Sequence, residues 1–498
     1  MVIEYNNCWS YLRDASNNEI AHVSHALTYE KKGSRYWPGR RNKQPVKMSM
    51  YNPRFNSIPA GLLNWLLTKK HKHKDENGEI EHYFIHAEVV DKRPSKPIKP
   101  QKHIILFDED ARPIEIRDYQ LEAVDAFIQA ERGMIKVPAR GGKTTIAAAI
   151  IKALKIPKTL FVVNSKTLLN QSIDELSMRL QEAVGIIGNS KWNPSRVTVA
   201  SVKTLHDRID ECYVQDFLAD QQFIIFDESH SASTMPTKVG WACKNAHYRL
   251  GLTATPLMGD KESKLQQMAL TGSVIYDISM KELVNRGNLA KPTMFYLEMN
   301  ENPDVPLEGS SWDILYRDGI IFNEKRNLAI ILSAVTMVQK GFGVLLLVER
   351  IEHGEIFLNL CKKYAEDLNV HYISGMHGSD DRDEAKAAIQ NGKLDILITS
   401  RIFNQGIDIP ELQCVVIASG YKAGALQIQR STRGATKTEG KDDTIVIDCM
   451  DNFNDLLQKH SLERRKVCEK QKAYEIIDCH WSEFENKIDE FIKKEKSK

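Results

Sequence analysis

The 498-residue chain is expected to be an α/β protein of two tandem parallel-sheet domains, with a small α+β domain before them and a helical tail after. Three observations predict this. The length exceeds what one hydrophobic core supports, so two to four domains are expected. Short β-branched runs alternate with helical patterns from Met134 to Glu228, and again from Gly343 to Asp448, as βαβ units require. The stretch Val89–Lys102 sets Pro94, Pro97 and Pro100 among lysines, which suits an extended linker.

In chain order, the first half reads as strand at MIKVP, helix at TTIAAAIIKAL, strand at TLFVVN, helix at TLLNQSIDELSMRL, then strands at VTVASV and FIIF. The second half repeats the alternation with GVLLLVE, GEIFLNLCKKYAEDL, VHYIS, DEAKAAIQN, LDILITS, CVVIAS and DTIVID. Between them Lys281–Pro292 carries the Gly and Pro of a hinge, and after Asn452 a Lys- and Glu-rich segment with helical spacing reads as solvated helices. The expected division is 1–92, a linker at 93–112, 113–282, 283–452 and a tail at 453–498.

With 42% apolar and 27% charged residues the composition is that of a soluble globular protein. No run approaches the roughly 18 to 20 apolar residues of a membrane span, and the first residues lack a basic segment followed by an apolar one, so a cytoplasmic location is expected. The eight cysteines show no CxxC pair, which favours reduced thiols over metal ligands or disulfides. The net charge of +2 hides an asymmetry. Between Lys31 and Lys74 there are twelve Lys and Arg residues and no Asp or Glu, the footprint of a polyanion partner.

PARGGKTT, Pro138–Thr145, lies between a strand and a helix, where backbone N–H groups and the helix dipole hold phosphate. Val137 stands where such loops begin with glycine, and a lone GKT is as often a surface turn. DESH, Asp227–His230, closes the apolar run FIIF. Alone it reads as a solvated acidic turn; paired with the upstream loop it reads as a metal-holding carboxylate beside a proton acceptor. RDYQ offers Arg117 and Gln120, the latter suited to an adenine edge, and RLGLTATP offers the hydroxyls of Thr253 and Thr255.

In order and spacing these stretches resemble the motor core of superfamily 2 helicases over roughly Ile114–Asp451. VNSKTLLNQ, VASVKTL, ITSRIFNQGIDIP and QRSTRGATK stand where that family has its remaining motifs. SRYWPGR and MYNPRFNSIPAGLLNWLL are similar to the basic N-terminal domain of the phage UvsW type, related to the RecG and XPB helicases. The resemblance implies two RecA-like domains, ATP and Mg²⁺ as cofactors, and DNA as partner, branched or fork-like. It further implies a monomer, possible recombination or replication proteins as partners, and the host cytoplasm if phage-encoded.

Residue by residue it implies phosphate binding by Gly141, Gly142, Lys143, Thr144 and Thr145. Thr144 and Asp227 would hold Mg²⁺ through water, Glu228 would take the proton of the attacking water, and Arg117 with Gln120 would flank adenine. Gly406, Asp408, Gln429 and Arg433 would approach the nucleotide from the second domain, and Thr253 with Thr255 would couple nucleotide state to movement. Asn164, Ser165, Thr204, Thr399 and Ser400 would grip the nucleic-acid backbone, with Arg35, Trp37, Arg40 and Arg41 contributing from the N-terminal domain.

Departures accompany the match. Arg140 stands at a usual glycine, which a backbone with negative φ would tolerate. Gln405 stands at a usual arginine. Thr432 and Thr436 replace the glycine and the second arginine of the last motif, leaving Arg433, with Arg430 or Lys437 as substitutes for the lost charge. Tyr36, Trp37, Tyr51, Phe55 and Trp65 suit base stacking. Trp65 equally suits a core with Leu62, Leu63, Leu66 and Leu67, and Lys69–Lys74 reads as a solvated loop touching phosphate.

Overall fold

A computed structural model describes residues 1–31, 33–34, 44–74, 80–94, 98–101, 103–231, 234–304, 307, 311–400, 409, 412–421, 424–432, 434–436 and 443–496, a few of them, including Gln429, by backbone alone. Arg35, Trp37, Arg40, Arg41, Gly406, Asp408 and Arg433 lie outside the described residues. The chain divides into two compact units, one built essentially from Met1–Ile278 and the other from Ser279–Lys498.

The sheet of the first unit has the order Lys191–Asn193, Gly185–Gly188, Val197–Ser201, Thr159–Val163, Phe223–Phe226, Tyr248–Thr253, Arg132–Lys136, Val274–Asp277. Its neighbours are parallel apart from the hairpin at one edge. Thr159–Val163 and Phe223–Phe226 are buried along their whole length, as strands covered on both faces must be.

The N-terminal segment does not stand apart as a separate 1–92 domain. Its four-stranded sheet, ordered Ser57–Pro59, Trp9–Arg13, Val2–Tyr5, Glu88–Asp91, and its helix Asn17–Ala26 share one core with the motor sheet. Leu12, Val23, Leu27, Ile58, Leu62 and Leu66 cluster with Met134, Leu265, Met268 and Ala269, and Trp65 and Leu67 pack on that cluster. The core reading of Trp65 therefore prevails over stacking. Gly61 explains the closeness of the contact, because a Cβ there would lie 2.2 Å from the carbonyl oxygen of Met268.

The Pro-Lys segment also departs from a free linker. Ile98 N donates to Tyr248 Oη at 2.7 Å, Gln101 N donates to Ala153 O at 2.8 Å, and Phe107 O accepts from Arg179 Nη1 at 3.0 Å. An extended backbone exposes every donor and acceptor, and here the motor domain satisfies several of them. His71–Lys74 is not a loop but a strand paired with Ile80–Tyr83, with His71 buried and its Nε2 2.7 Å from Leu66 O.

The second unit carries seven parallel strands in the order Val370–Ile373, Ile396–Thr399, Val344–Leu347, Cys414–Ile417, Asp443–Asp451, Lys291–Met299, Glu475–His480. The expected hinge begins with helix Met280–Asn285, closed by a capping box between Ser279 and Glu282, and turns at Gly287 with φ +72°. The expected solvated tail is structural. Glu475–His480 pairs in parallel with Lys291–Met299, placing Ile476 against one core and Cys479 in the other, so both faces of the strand are used. Helix Asp455–Gln471 buries Arg464 completely. Its guanidinium meets both oxygens of Asp448, at 3.0 and 3.1 Å, while Gln427 Nε2 donates to Asp448 Oδ2 at 2.9 Å. Arg326 Nε meets Asp451 Oδ1 at 2.6 Å in the same interior.

Two stability measurements check this packing. Gly61→Ala forces the backbone around Met268 to move and should make the N-terminal segment the first site of limited proteolysis. Arg464→Met strands buried carboxylates and should destabilise the second unit by about 3–5 kcal/mol in denaturant unfolding.

Candidate active site

The site grows from adjacent positions on the first sheet. Strand Arg132–Lys136 runs into the phosphate-type loop, and helix Lys143–Leu154 leaves it. Gly142 caps that helix with φ +72°, and a Cβ there would lie 2.4 Å from Gln120 Nε2. The glycine is required by both conformation and space. Its helix then presents the unpaired N–H groups of its first turn, with Lys143 and Thr144 half-buried and Thr145 buried. Gly141 is buried in the same loop.

Arg140 contradicts its expected conformation. Its φ is +68°, the left-handed region that favours glycine, where a side chain costs roughly 1–2 kcal/mol. Glu228 is held similarly, at φ +49°. Strain of this kind persists only where the surroundings enforce it, and here it occurs in both loops of the site.

Asp227 and Glu228 follow strand Phe223–Phe226. Lys143 Nζ lies 3.0 Å from Glu228 Oε1, and His230 Nδ1 lies 3.0 Å from Glu228 Oε2 and 3.2 Å from Thr253 Oγ1. Thr253 Oγ1 in turn accepts from Thr255 N at 3.1 Å. His230 received no role from the sequence, although its position three residues after Asp227 was the available signal. Loss of solvent, and secondly the Glu228 charge, push the Asp227 carboxyl up. Burial would raise Glu228 as well, but Lys143 and His230 outweigh it and hold that carboxyl down, to about 2.

These groups fit a nucleoside triphosphate with a divalent cation. An anion-binding helix start with one lysine faces a carboxylate that has lost solvent, and Thr255 Oγ1 is buried with no hydrogen-bond partner among the described residues. Thr144 and Asp227 are the residues that would hold Mg²⁺, which when bound supplies charge neutralisation to the phosphates. No group of three or more His, Cys, Asp or Glu residues suited to holding a metal occurs among the described residues, and all eight cysteines are free.

The other expected residues are distributed unevenly. Arg117 is exposed and caps helix Asp118–Ala130; its N–H donates to Gln120 Oε1 at 3.1 Å, so the Gln120 amide is already engaged under Gly142. Asn164 is exposed just past strand Thr159–Val163, and Ser165 caps the next helix by accepting from Leu168 N at 3.2 Å. Thr204 is half-buried in helix Val202–Asp207. Thr399 and Ser400 are buried at the end of their strand, so their side chains do not form an exposed grip. In the last motif, Arg430 is buried in an ion pair with Glu349 and donates to Ser419 Oγ at 2.7 Å, while Thr432 Oγ1 donates to Ile428 O at 2.7 Å. Arg430 is therefore not a spare cation, contrary to that expectation.

A phosphate-type loop and paired carboxylates on one parallel sheet, followed by a second parallel sheet of the same build, define a nucleotide-driven motor of two RecA-like domains. The chain matches the family described as Type III restriction enzyme, res subunit, over residues 113–258, and the helicase conserved C-terminal domain over 326–436. It belongs to the superfamily 2 helicases.

Among relatives, it is 23% identical over 398 residues to the DNA 3'-5' translocase XPB2 of Sulfurisphaera tokodaii, covering 71% of this chain and 85% of that one. It is 24% identical over 357 residues to the ATP-dependent DNA helicase uvsW of Enterobacteria phage T4, covering 68% and 69% respectively. Among solved structures, S. cerevisiae Dbp5 bound to RNA and ADP BeF3 superposes with a TM-score of 0.55 at 14% identity, over 76% of this chain and 93% of that one. That likeness concerns the fold.

Removing the Lys143 charge should release Glu228. In Lys143→Met the Glu228 carboxyl should titrate at higher pH than in the unaltered protein, a shift that carboxyl infrared spectroscopy across a pH series reads directly.

Proposed function

We propose that this helicase is an ATP-driven DNA translocase acting on branched DNA such as forks, four-way junctions and displacement loops. The observation that carries the reading is the Lys143–Glu228–His230–Thr253 chain, which joins the phosphate loop, the acidic turn and the third motif within one sheet. Lys143 and the start of its helix bind the phosphates; Glu228, once Lys143 turns to them, takes the proton of the attacking water. Thr253 and Thr255 report the change. Asn164, Ser165 and Thr204 supply phosphate grips on the first sheet, and Gln429 with Arg433 completes the nucleotide site.

Branched DNA is favoured on physical grounds. Opening duplex costs on average about 1.4 kcal/mol per base-pair step, whereas branch migration remakes a pair for each one broken. A motor need only bias that exchange. The names of the XPB2 and uvsW relatives support DNA as the polymer. The acid-free N-terminal stretch supplies the basic surface, and a cleft of about 630 Å³ there is lined by Lys47, Lys72, Lys261 and His25, interspersed with Glu30 and Asp260. Its DNA contacts would be electrostatic and sequence-independent.

ATP turnover measured alone and with single strands, duplex, RNA and a four-way junction tests the proposal. Strongest stimulation by the junction, lost in Lys143→Ala while junction binding persists, is the expected result. Greater stimulation by RNA would make the chain an RNA motor, and turnover insensitive to every polymer would make it a nucleotide-dependent clamp.

A further inference from the structure

Arg140 is unexplained by the fold. It sits in the phosphate loop three residues before Lys143, half-buried, with φ +68°. Glycine would adopt that backbone without strain, so a long cationic side chain held there points to a use for its charge. The site has such a need. In the nucleotide-free protein Lys143 is committed to Glu228 at 3.0 Å. The last motif is short of charge among its described residues: Thr432 and Thr436 are neutral, and Arg430 is buried against Glu349 and Ser419.

We propose that Arg140 is a second cation of the triphosphate site, delivered by the phosphate loop itself, and that it stabilises charge on the phosphoryl group during hydrolysis. In that step the water oxygen bonds to the γ-phosphorus and the bond from phosphorus to the bridging oxygen breaks. ADP leaves with the electron pair, and the water's proton passes to Glu228. The transferring group spreads charge over its equatorial oxygens, and a guanidinium there acts on the transition state more than on the ground state. The inference rests on the nucleotide-site reading above and extends it to a residue whose position suits glycine.

The test uses the full chain with Arg140→Gly, Arg140→Asn, Arg140→Lys and Lys143→Ala. Turnover at saturating ATP and Mg²⁺ with junction DNA, affinity for a fluorescent ADP analogue, and the thermal midpoint are measured for each. Arg140→Gly and Arg140→Asn both suit a left-handed backbone, so their midpoints should equal or exceed that of the unaltered protein. Their turnover should fall at least tenfold with ADP affinity changed less than threefold, and Arg140→Lys should recover part of the loss. Turnover in Arg140→Gly and Arg140→Asn equal to or above that of the unaltered chain overturns the proposal, because the arginine would then be a strained bystander. Near-normal turnover in Lys143→Ala would instead defeat the nucleotide-site reading, which separates the two failures.

Discussion

The ion pair between Lys143 and Glu228 is the constraint around which the first motor domain is arranged. At 3.0 Å, two groups with opposite tasks neutralise one another: a cation for phosphate and a carboxylate for water. The lysine holds Glu228 ionised but occupied, so no competent base stands free before nucleotide arrives. An incoming triphosphate competes for the lysine, and the same displacement that binds the anion uncovers the carboxylate. His230 remains on Glu228 and reaches Thr253, so the change is not confined to the pair. Parallel strands make this possible, because Arg132–Lys136, Tyr248–Thr253 and Phe223–Phe226 lie side by side and release their loops at one edge.

The second sheet solves a different problem. Its interior contains Arg326, Arg464, Asp448 and Asp451, charges that are costly to bury unless each is paired. Asp448 lies on a strand, Arg464 on the C-terminal helix, and Gln427 on the helix of the last motif, so one carboxylate ties three elements together. The segment that composition marks as a tail is thereby part of what fixes the motif helix.

Much of the first site was legible because its signals are local. Strand, turn and helix follow one another through PARGGKTT, and DESH closes a four-residue apolar strand. What was not legible depends on partners distant in sequence. EIIDCH joins a sheet only because Lys291–Met299 has an open edge, and nothing within the hexapeptide announces that edge. The sign of φ at Arg140 was misjudged since sequence reports side chains, while conformation is imposed by the loop's two ends. The independence of residues 1–92 was misjudged for a related reason. Leu62 and Leu66 form a helical apolar face, but that their companions are Met268 and Ala269 is settled in three dimensions.

That shared core places the N-terminal segment against a telling part of the motor. Trp9 packs on Trp241 with ring centres 4.8 Å apart, and Asn7 Nδ2 donates to Lys244 O at 3.1 Å. Arg249, fully buried, donates to Cys8 Sγ at 3.2 Å and to Gly240 O and Cys243 O at 2.7 Å each. The contacted residues lie between the acidic turn and the third motif. Arg249 is in the strand that ends at Thr253, four residues on, where His230 reaches back to Glu228. A rigid strand, anchored at one end by the N-terminal segment and at the other by the catalytic carboxylate, leaves little slack between them. The N-terminal segment is thus a built part of the motor's first domain, joined to it by the strand that also carries the third motif.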